Sequence, residues 1–285
     1  MRVLCRTYPD SPLYTSLYDC ERMDPFWRGV DVRTSFMQLA HPTLKVAKRL
    51  LPLYPFAFEA FDFSRYDVVL SSSSTFAKGI ITGADTYHIC YCHSPARYVW
   101  MYHDYVAQME LGRLGRTLLP IVVGPLRLWD YAAAQRVDAF IANSRNTARR
   151  IAKFYRREAT VMHPPIDVSS FQPSATTEPY FLVLARLQPY KRIDVAIEAC
   201  NRLRRPLLIV GEGPDAARLR GLAGPTVHFT GRVDTAEVRH YLRHCQALIW
   251  PGNEDLGLAP LEALASGRPV VAYRAGGVLE TLVDG

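Results

Sequence analysis

Residues 180–214 read YFLVLARLQPYKRIDVAIEACNRLRRPLLIVGEGP. Within this stretch an apolar run at 180–184 gives way to a loop, a segment of helical period at 194–203, a second apolar run at 207–210 and a turn holding Gly211, Gly213 and Pro214. The runs are too short for helices and are apolar throughout rather than alternating, which marks strands covered on both faces. The unit repeats downstream, with strands expected at 227–230, 247–250 and 269–272 and helices at 215–222, 235–244 and 258–265. Continuous apolar strands separated by helices build a parallel sheet. The second half is therefore expected to be a doubly wound, Rossmann-like α/β domain whose ligand lies at the carboxyl ends of its strands.

The same alternation extends less regularly towards the N-terminus, with strands expected at 67–71, 87–92, 138–143 and 160–163 and long helical stretches at 98–111 and 114–136. Pro164, Pro165 and the segment QPSATTEP at 172–179 lack apolar periodicity and read as an interdomain linker. Two α/β domains, 1–172 and 173–285, with a cleft between them are the expected organisation. No internal repeat interrupts it.

Composition excludes several classes. Of 285 residues, 49% are hydrophobic and 21% charged, enough apolar surface for a sizeable core and too little charge for a disordered chain. No stretch without a formal charge exceeds 11 residues, the length of 34–44 and 86–96, whereas a spanning helix needs about 20 apolar residues. The opening MRVLCRTYPD meets charges and a proline before any apolar signal region, so a cytoplasmic protein is expected. The six cysteines are too sparse for a disulfide framework and form no CxxC pair. His88, Cys90 and Cys92, with His93 beside them, alternate onto one strand face, but a continuous strand spreads its side chains too far for tetrahedral closure, and no metal is expected there.

The net charge of +7 is unevenly placed: residues 1–177 carry 21 Lys+Arg against 15 Asp+Glu, and residues 178–285 carry 13 against 12. The densest part is Arg145, Arg149, Arg150, Lys153, Arg156 and Arg157, where 145, 149, 153 and 156 share a helical face opposite Ala148, Ile151, Ala152 and Tyr155. Solvation, anionic lipid and nucleic acid all fit such a face. Solvation is the default reading and a peripheral contact with the inner face of the membrane the next, because no nucleic-acid motif accompanies the charge.

Three turns suit phosphate. In EDLGLAPLE, Glu254 follows the strand at 247–250 and Glu262 lies one turn into the next helix, whose first amides, at Leu256, Gly257, Leu258 and Ala259, form the positive end of a helix dipole. The alternative is that Glu262 caps its helix and Glu254 is solvated. RLQPYKR puts Arg186 and Lys191 in the loop after the strand at 180–184, a planar fork and a mobile point charge suited to a diphosphate. GEGP supplies Gly211 and Gly213 but lacks the third glycine of a dinucleotide fingerprint. Each is weak alone, whereas three at successive strand ends of one sheet reinforce one another.

The motifs ARLQPYKRID, VGEGP, FTGRV, PGNEDLGLAPLEALASGRPVVA and GGVLETLVDG, with YCHSPARYVW and FIANSRNTARRIAKFY in the first half, resemble the retaining GT-B glycosyltransferases of family 4, in the family's order and spacing. The resemblance covers essentially the whole chain and is similar to bacterial mannosyltransferases and group 1 glycosyltransferases of polysaccharide and lipid glycan assembly. It implies two Rossmann-like domains, a nucleotide-diphosphate sugar as donor with GDP-mannose favoured, a glycan or lipid-linked acceptor, no nucleic acid and no cofactor. Arg186 and Lys191 would hold the donor diphosphate, Glu262 the ribose, and Glu254 the hydroxyls of the transferred sugar together with the amides of Leu258 and Ala259. Gly231, Arg232 and Val233 would lie against the base, and His93 would face the sugar. Arg97 and Trp100 shape the acceptor side in this reading, or else pack their helix.

The leaving diphosphate becomes more anionic as positive charge grows at the anomeric carbon, so catalysis concentrates on the diphosphate. The chain has no Asp-x-Asp motif, and a metal-independent transferase is expected. In the family, retention is attributed to front-face attack within an ion pair, which makes Glu254 a sugar-binding group rather than a nucleophile. Family members normally carry a first strand and Gly-rich loop before the point matching Met1, and further sheet and helix after the point matching Gly285. Both ends therefore read as truncated. The rivals are a non-catalytic nucleotide-sugar-binding remnant and a Rossmann oxidoreductase, the latter opposed by the missing GxGxxG and its acidic partner.

Overall fold

The structure, a computed structural model, describes every residue except 22, 41–49, 103–112 and 285. Two compact units are present: residues 1–143 with 147–161, and residues 144–146 with 162–285.

In the first, α1 (Arg2–Thr7), β1 (Leu13–Thr15), β2 (Val32–Thr34) and α2 (Tyr54–Glu59) precede a parallel sheet of β3 (Val68–Ser73), β4 (Tyr87–Cys92), β5 (Ala139–Ala142) and β6 (Thr160–Val161), in that spatial order. Helices α3 (Arg97–Trp100) and α4 (Arg113–Gln135) join β4 to β5, and α5 (Arg145–Tyr155) joins β5 to β6. Cys90 and Cys92 of β4 and Phe140 and Ala142 of β5 bury their side chains with Val137, Ile151 and Tyr155. Behind this core lies a buried ion pair, Lys78 with Asp130. Asp130 also accepts from Trp100 Nε1 at 2.6 Å and Tyr155 Oη at 2.8 Å, and Lys78 donates to the Thr75 carbonyl at 2.6 Å. A buried charge pair with its remaining valences filled in this way locks the elements that supply it. Trp100 is thus a packing residue of α3.

Three expectations change here. The parallel pair β1 and β2 was not foreseen, being two three-residue strands of mixed polarity. The helix expected at 98–111 appears as α3, which ends at Trp100, and positions 103–111 lie outside the described residues. The strand expected at 160–163 stops at Val161, short of Pro164 and Pro165, which have no amide to donate to a ladder.

In the second unit β7 (Phe181–Leu184), α6 (Ile193–Leu203), β8 (Leu207–Val210), α7 (Ala216–Leu222), β9 (Val227–Gly231), α8 (Thr235–His244), β10 (Ala247–Trp250), α9 (Leu258–Ala265) and β11 (Val270–Ala272) alternate along the chain. The sheet is wholly parallel, in the order β11-β10-β7-β8-β9. Its two faces explain the unbroken apolar runs. Val183, Leu207 and Ile209 pack with Ile193, Ile197 and Leu219 on one side, while Leu182, Val210 and Leu248 pack with Leu242, Trp250 and Ala263 on the other. Phe171 packs against this second cluster, so the compact unit takes up the chain from Met162, ahead of the boundary read at 172.

Candidate functional site

Strand order builds the site. The sheet grows from β7 through β8 to β9 on one side and from β7 to β10 and β11 on the other, so growth reverses between β7 and β10. The loops leaving those two strands stand side by side at the carboxyl edge, where a doubly wound sheet opens a crevice. After β7 comes Ala185 to Arg192, ending in a 3₁₀ turn at Pro189–Lys191; after β10 come Pro251 to Gly257 and then α9. A Cβ on Gly252 would stand 2.9 Å from both Cα and O of Lys191, so glycine is what permits the loops to touch. From below, Gly277 N–H donates to the Glu254 carbonyl at 2.8 Å.

Across this junction Lys191 Nζ meets Glu254 Oε1 at 2.5 Å, with the side chains only 13% and 14% exposed. Lys191 Nζ also sits 4.7 Å above the Trp250 ring and 5.5 Å from that of Tyr190. The alternative of a solvated Glu254 is thereby corrected: the close loop contact holds its carboxylate against the lysine. Arg186 behaves differently. It is exposed, and no carboxylate among the described residues pairs with it.

Gly257 is the N-cap of α9 at φ +87°, a left-handed conformation suited to glycine, and no side chain caps this end. The alternative of Glu262 as the cap is not what the structure shows. Glu262 is half-buried in the second turn, and burial pushes its carboxyl above the usual range, with Arg239 opposing the shift. Leu256 is buried, Leu258 is exposed and Ala259 packs against the core, so Leu256 and Ala259 offer a ligand mainly their main chain.

Gly211 and Gly213 are brought to the same edge, and their small size has a local cause. A Cβ at either would lie 2.0 Å from a carbonyl oxygen, Ala185 O and Leu187 O respectively. Leu187 N–H donates to Glu212 O at 2.9 Å and Gly211 N–H to Gly231 O at 2.8 Å, interlocking the turns after β7, β8 and β9. Arg232 is exposed beyond Gly231, and Val233 packs against the core. Arg186, Lys191, Gly211, Gly213, Gly231, Arg232, Val233, Glu254, Leu256, Gly257, Leu258, Ala259 and Glu262 therefore all belong to one edge of one sheet. Trp250 and Gly252 were missed by sequence reasoning, although both lie in the WPGNED stretch directly after a strand.

His93 belongs to the first unit. It closes β4, half-buried, with Nε2 2.8 Å from Ser72 Oγ and its ring edge-on to Tyr91 at 5.2 Å. His88 is fully buried with Nε2 2.8 Å from Ser71 Oγ; burial holds its pKa down at about 4 and pushes that of Cys90 up to about 11. Among the described residues, ligand atoms of three or more His, Cys, Asp or Glu side chains converge at Glu178, His240 and His244 and not on this strand.

Residues 1–170 match the family model described as Glycosyltransferase Family 4, and residues 167–285 match that described as Glycosyl transferases group 1. The chain belongs to glycosyltransferase family 4. Among its relatives, a GDP-mannose-dependent alpha-(1-6)-phosphatidylinositol monomannoside mannosyltransferase of Mycolicibacterium smegmatis is 30% identical over 212 residues, 63% of this chain and 54% of the relative. A D-inositol 3-phosphate glycosyltransferase of Mycolicibacterium gilvum is 27% identical over 191 residues, 56% of this chain and 42% of the relative. The chain thus spans about half the length of the curated relatives it matches. Sucrose-phosphate synthase from Thermosynechococcus elongatus superposes with a TM-score of 0.71 at 18% identity, covering 95% of this chain and 72% of that one. Anabaena HepE in complex with UDP-glucose gives 0.68 at 16% identity, covering 99% and 78%. These likenesses show the fold to be GT-B, and the family member described here carries its two α/β units.

Proposed function

We propose that this chain provides the machinery of a retaining hexosyltransferase that uses a nucleotide-diphosphate sugar, GDP-mannose being favoured, and a glycan or lipid-linked acceptor. The observation that carries the reading is the Lys191–Glu254 pair at the reversal point of the sheet, beside the exposed Arg186, which no carboxylate among the described residues pairs with, and the N-terminus of α9, which no side chain caps. A diphosphate entering this edge meets Arg186 first and then competes with Glu254 for Lys191. Once Lys191 turns to phosphate, the Glu254 carboxylate is released to accept hydroxyls of the sugar. The lysine that stabilises the leaving group and the glutamate that holds the sugar are thus exchanged by one event, with Glu262 accepting from the ribose and Gly231 to Val233 lying against the base.

As the anomeric bond breaks, negative charge accumulates on the diphosphate. Two cations and a helix N-terminus act there, where their effect grows with the developing charge. No resident cofactor is needed for this step. The M. smegmatis relative, by its name a GDP-mannose enzyme acting on a phosphatidylinositol mannoside, supports both the favoured donor and a lipid-linked acceptor. His93 belongs to transfer rather than donor binding in this reading.

The test is thermal stability of the chain with GDP-mannose, UDP-glucose and ADP-glucose, since a ligand selective for the folded state raises its apparent stability. GDP-mannose is expected to give the largest shift, which Arg186→Ala and Glu262→Ala each reduce and His93→Ala leaves intact while lowering turnover. No shift with any of the three sugars, or wild-type shifts in both donor-site variants, would overturn the assignment. Binding without transfer to any acceptor would leave a nucleotide-sugar-binding protein.

A further inference from the structure

At the opposite edge of the second sheet lies a cluster that the donor chemistry does not use. Helix α8 is fixed at its start by a capping box, in which Asp234 accepts from Glu237 N–H at 2.8 Å and Glu237 accepts from Asp234 N–H at 3.3 Å. Its last turn is tied to the chain entering β7, because Glu178 N–H donates to the His244 carbonyl at 2.7 Å. This places the Glu178 carboxylate beside His240 and His244, which are four residues apart and so share one face of α8. The two rings have centroids 4.5 Å apart, Glu178 Oε1 is 3.9 Å from His240 Nε2, and one ligand atom from each of the three residues lies within 4.8 Å of the others.

We propose that Glu178, His240 and His244 form a binding site for a divalent transition-metal ion of the zinc class. Two imidazoles and one carboxylate are a donor set that zinc takes, with its fourth position left to water. The hydrogen bond between His244 Nδ1 and the His240 carbonyl, at 2.9 Å, selects the tautomer with the proton on Nδ1 and leaves Nε2 to the metal, as metal-ligating histidines are commonly oriented. A tetrahedral site with zinc–ligand bonds of about 2.0–2.1 Å needs ligand atoms about 3.3 Å apart. The 4.8 Å spread closes to that by small rotations of Glu178 and His240, both exposed, around the half-buried His244.

Arg239 and Arg243 share the helix and reduce the attraction for a cation. Arg239 is drawn aside over the Phe171 ring at 5.9 Å. One carboxylate with two arginines nearby gives a weaker site than the same ligands without those cations. The ion would staple the end of α8 to the lead-in of β7, at the amino edge of the sheet, away from Arg186 and Glu254. Its role is therefore to stabilise the donor unit.

The experiment uses the tag-free full chain, stripped of metal, titrated with Co²⁺ by visible absorption and with Zn²⁺ by calorimetry. One ion per chain is expected, with the intense d–d bands of four-coordinate cobalt displaced by zinc. His240→Ala and His244→Ala should each weaken Zn²⁺ at least tenfold, Glu178→Gln should weaken it less, and His228→Ala, on an exposed position of β9, should leave it unchanged. Circular dichroism of these surface variants separates lost metal from lost fold. No saturable binding, the parent's affinity retained in both α8 variants, or a thiolate-to-cobalt band marking the exposed Cys20 instead would overturn the proposal.

Discussion

At Glu262 folding and ligand binding pull in opposite directions. The half-buried side chain is partly desolvated, with Arg239 in partial compensation, so its carboxyl titrates above its ordinary value of 4.5. An acid whose pKa is raised by folding costs stability in its ionised form. The cost is absent below pH 4.5, where folded and unfolded chains are both protonated, and grows as pH rises through the folded value. Glu262→Gln removes the charge while keeping the shape. It is expected to raise the melting temperature at pH 7.5, with an advantage that shrinks as the pH is lowered towards 4.5. If the carboxylate is there to accept from a ribose, the same variant should bind the nucleotide sugar roughly ten- to a hundredfold more weakly, the worth of a charged hydrogen bond. A variant less stable than the parent at pH 7.5 would show that the carboxylate is stabilised by its surroundings.

Elements were legible from sequence in proportion to how completely they are buried. Strands β7, β8 and β10 and helices α8 and α9 follow the expected ranges because both faces of a parallel sheet demand apolar residues and the turns at its edge carry Gly and Pro. In β1 and β2, three residues each, that demand is absent, and nothing in LYT or VRT separates a strand from a loop. The site was legible one loop at a time: Arg186 and Lys191 after one strand, Glu254 after another. Their union was reached through the family resemblance and not from local pattern, because it depends on β10 joining the sheet beside β7 rather than beside β9. Helix α5 is a case in which period and structure agree on most positions. Arg145, Arg149 and Lys153 are exposed and Ile151 and Tyr155 are buried, as the 3.6-residue period requires; Ala152, read as opposite the basic face, is exposed because seven residues bring it back to the side of Arg145, and Arg156 is exposed just past the helix end. Arg157, part of the dense basic run but not of that face, donates from its guanidinium to the carbonyls of Ala134, Gln135 and Asp138. An exposed cationic stripe of this kind fits an anionic membrane surface, which we propose as the place where a lipid-linked acceptor is met. Sedimentation with phosphatidylserine vesicles should show binding that falls as salt is raised and drops further in Arg149→Glu/Lys153→Glu. Binding indifferent to salt and to both substitutions would leave the stripe to solvation.

The two larger sheets of the described residues have separate cores, and this decides how far the effect of a donor should spread. The cores on the two faces of the second sheet are built from residues 171 to 272, whereas those of the first unit draw on residues 51 to 159. A ligand held by loops of one sheet raises the opening free energy of the unit that holds it, and a unit with its own core need not share the gain. Hydrogen exchange in the presence of GDP-mannose or UDP-glucose, whichever binds, is therefore expected to slow at 185–192, 211–214, 231–233 and 253–262. Exchange in β3, β4 and β5 should be unchanged. Amides of α9 should respond most, because in the proposed site the dipole at Gly257 would act on the diphosphate while the helix body packs on Leu248 and Leu242. Zinc gives a contrasting pattern if it binds at Glu178, His240 and His244: protection at 178–181 and 240–246, at the other edge of the same sheet, with the donor loops untouched. Protection that instead spread through the strands of the first unit would mean that the two cores unfold as one, and the donor site could not then be assigned to the second unit from protection alone.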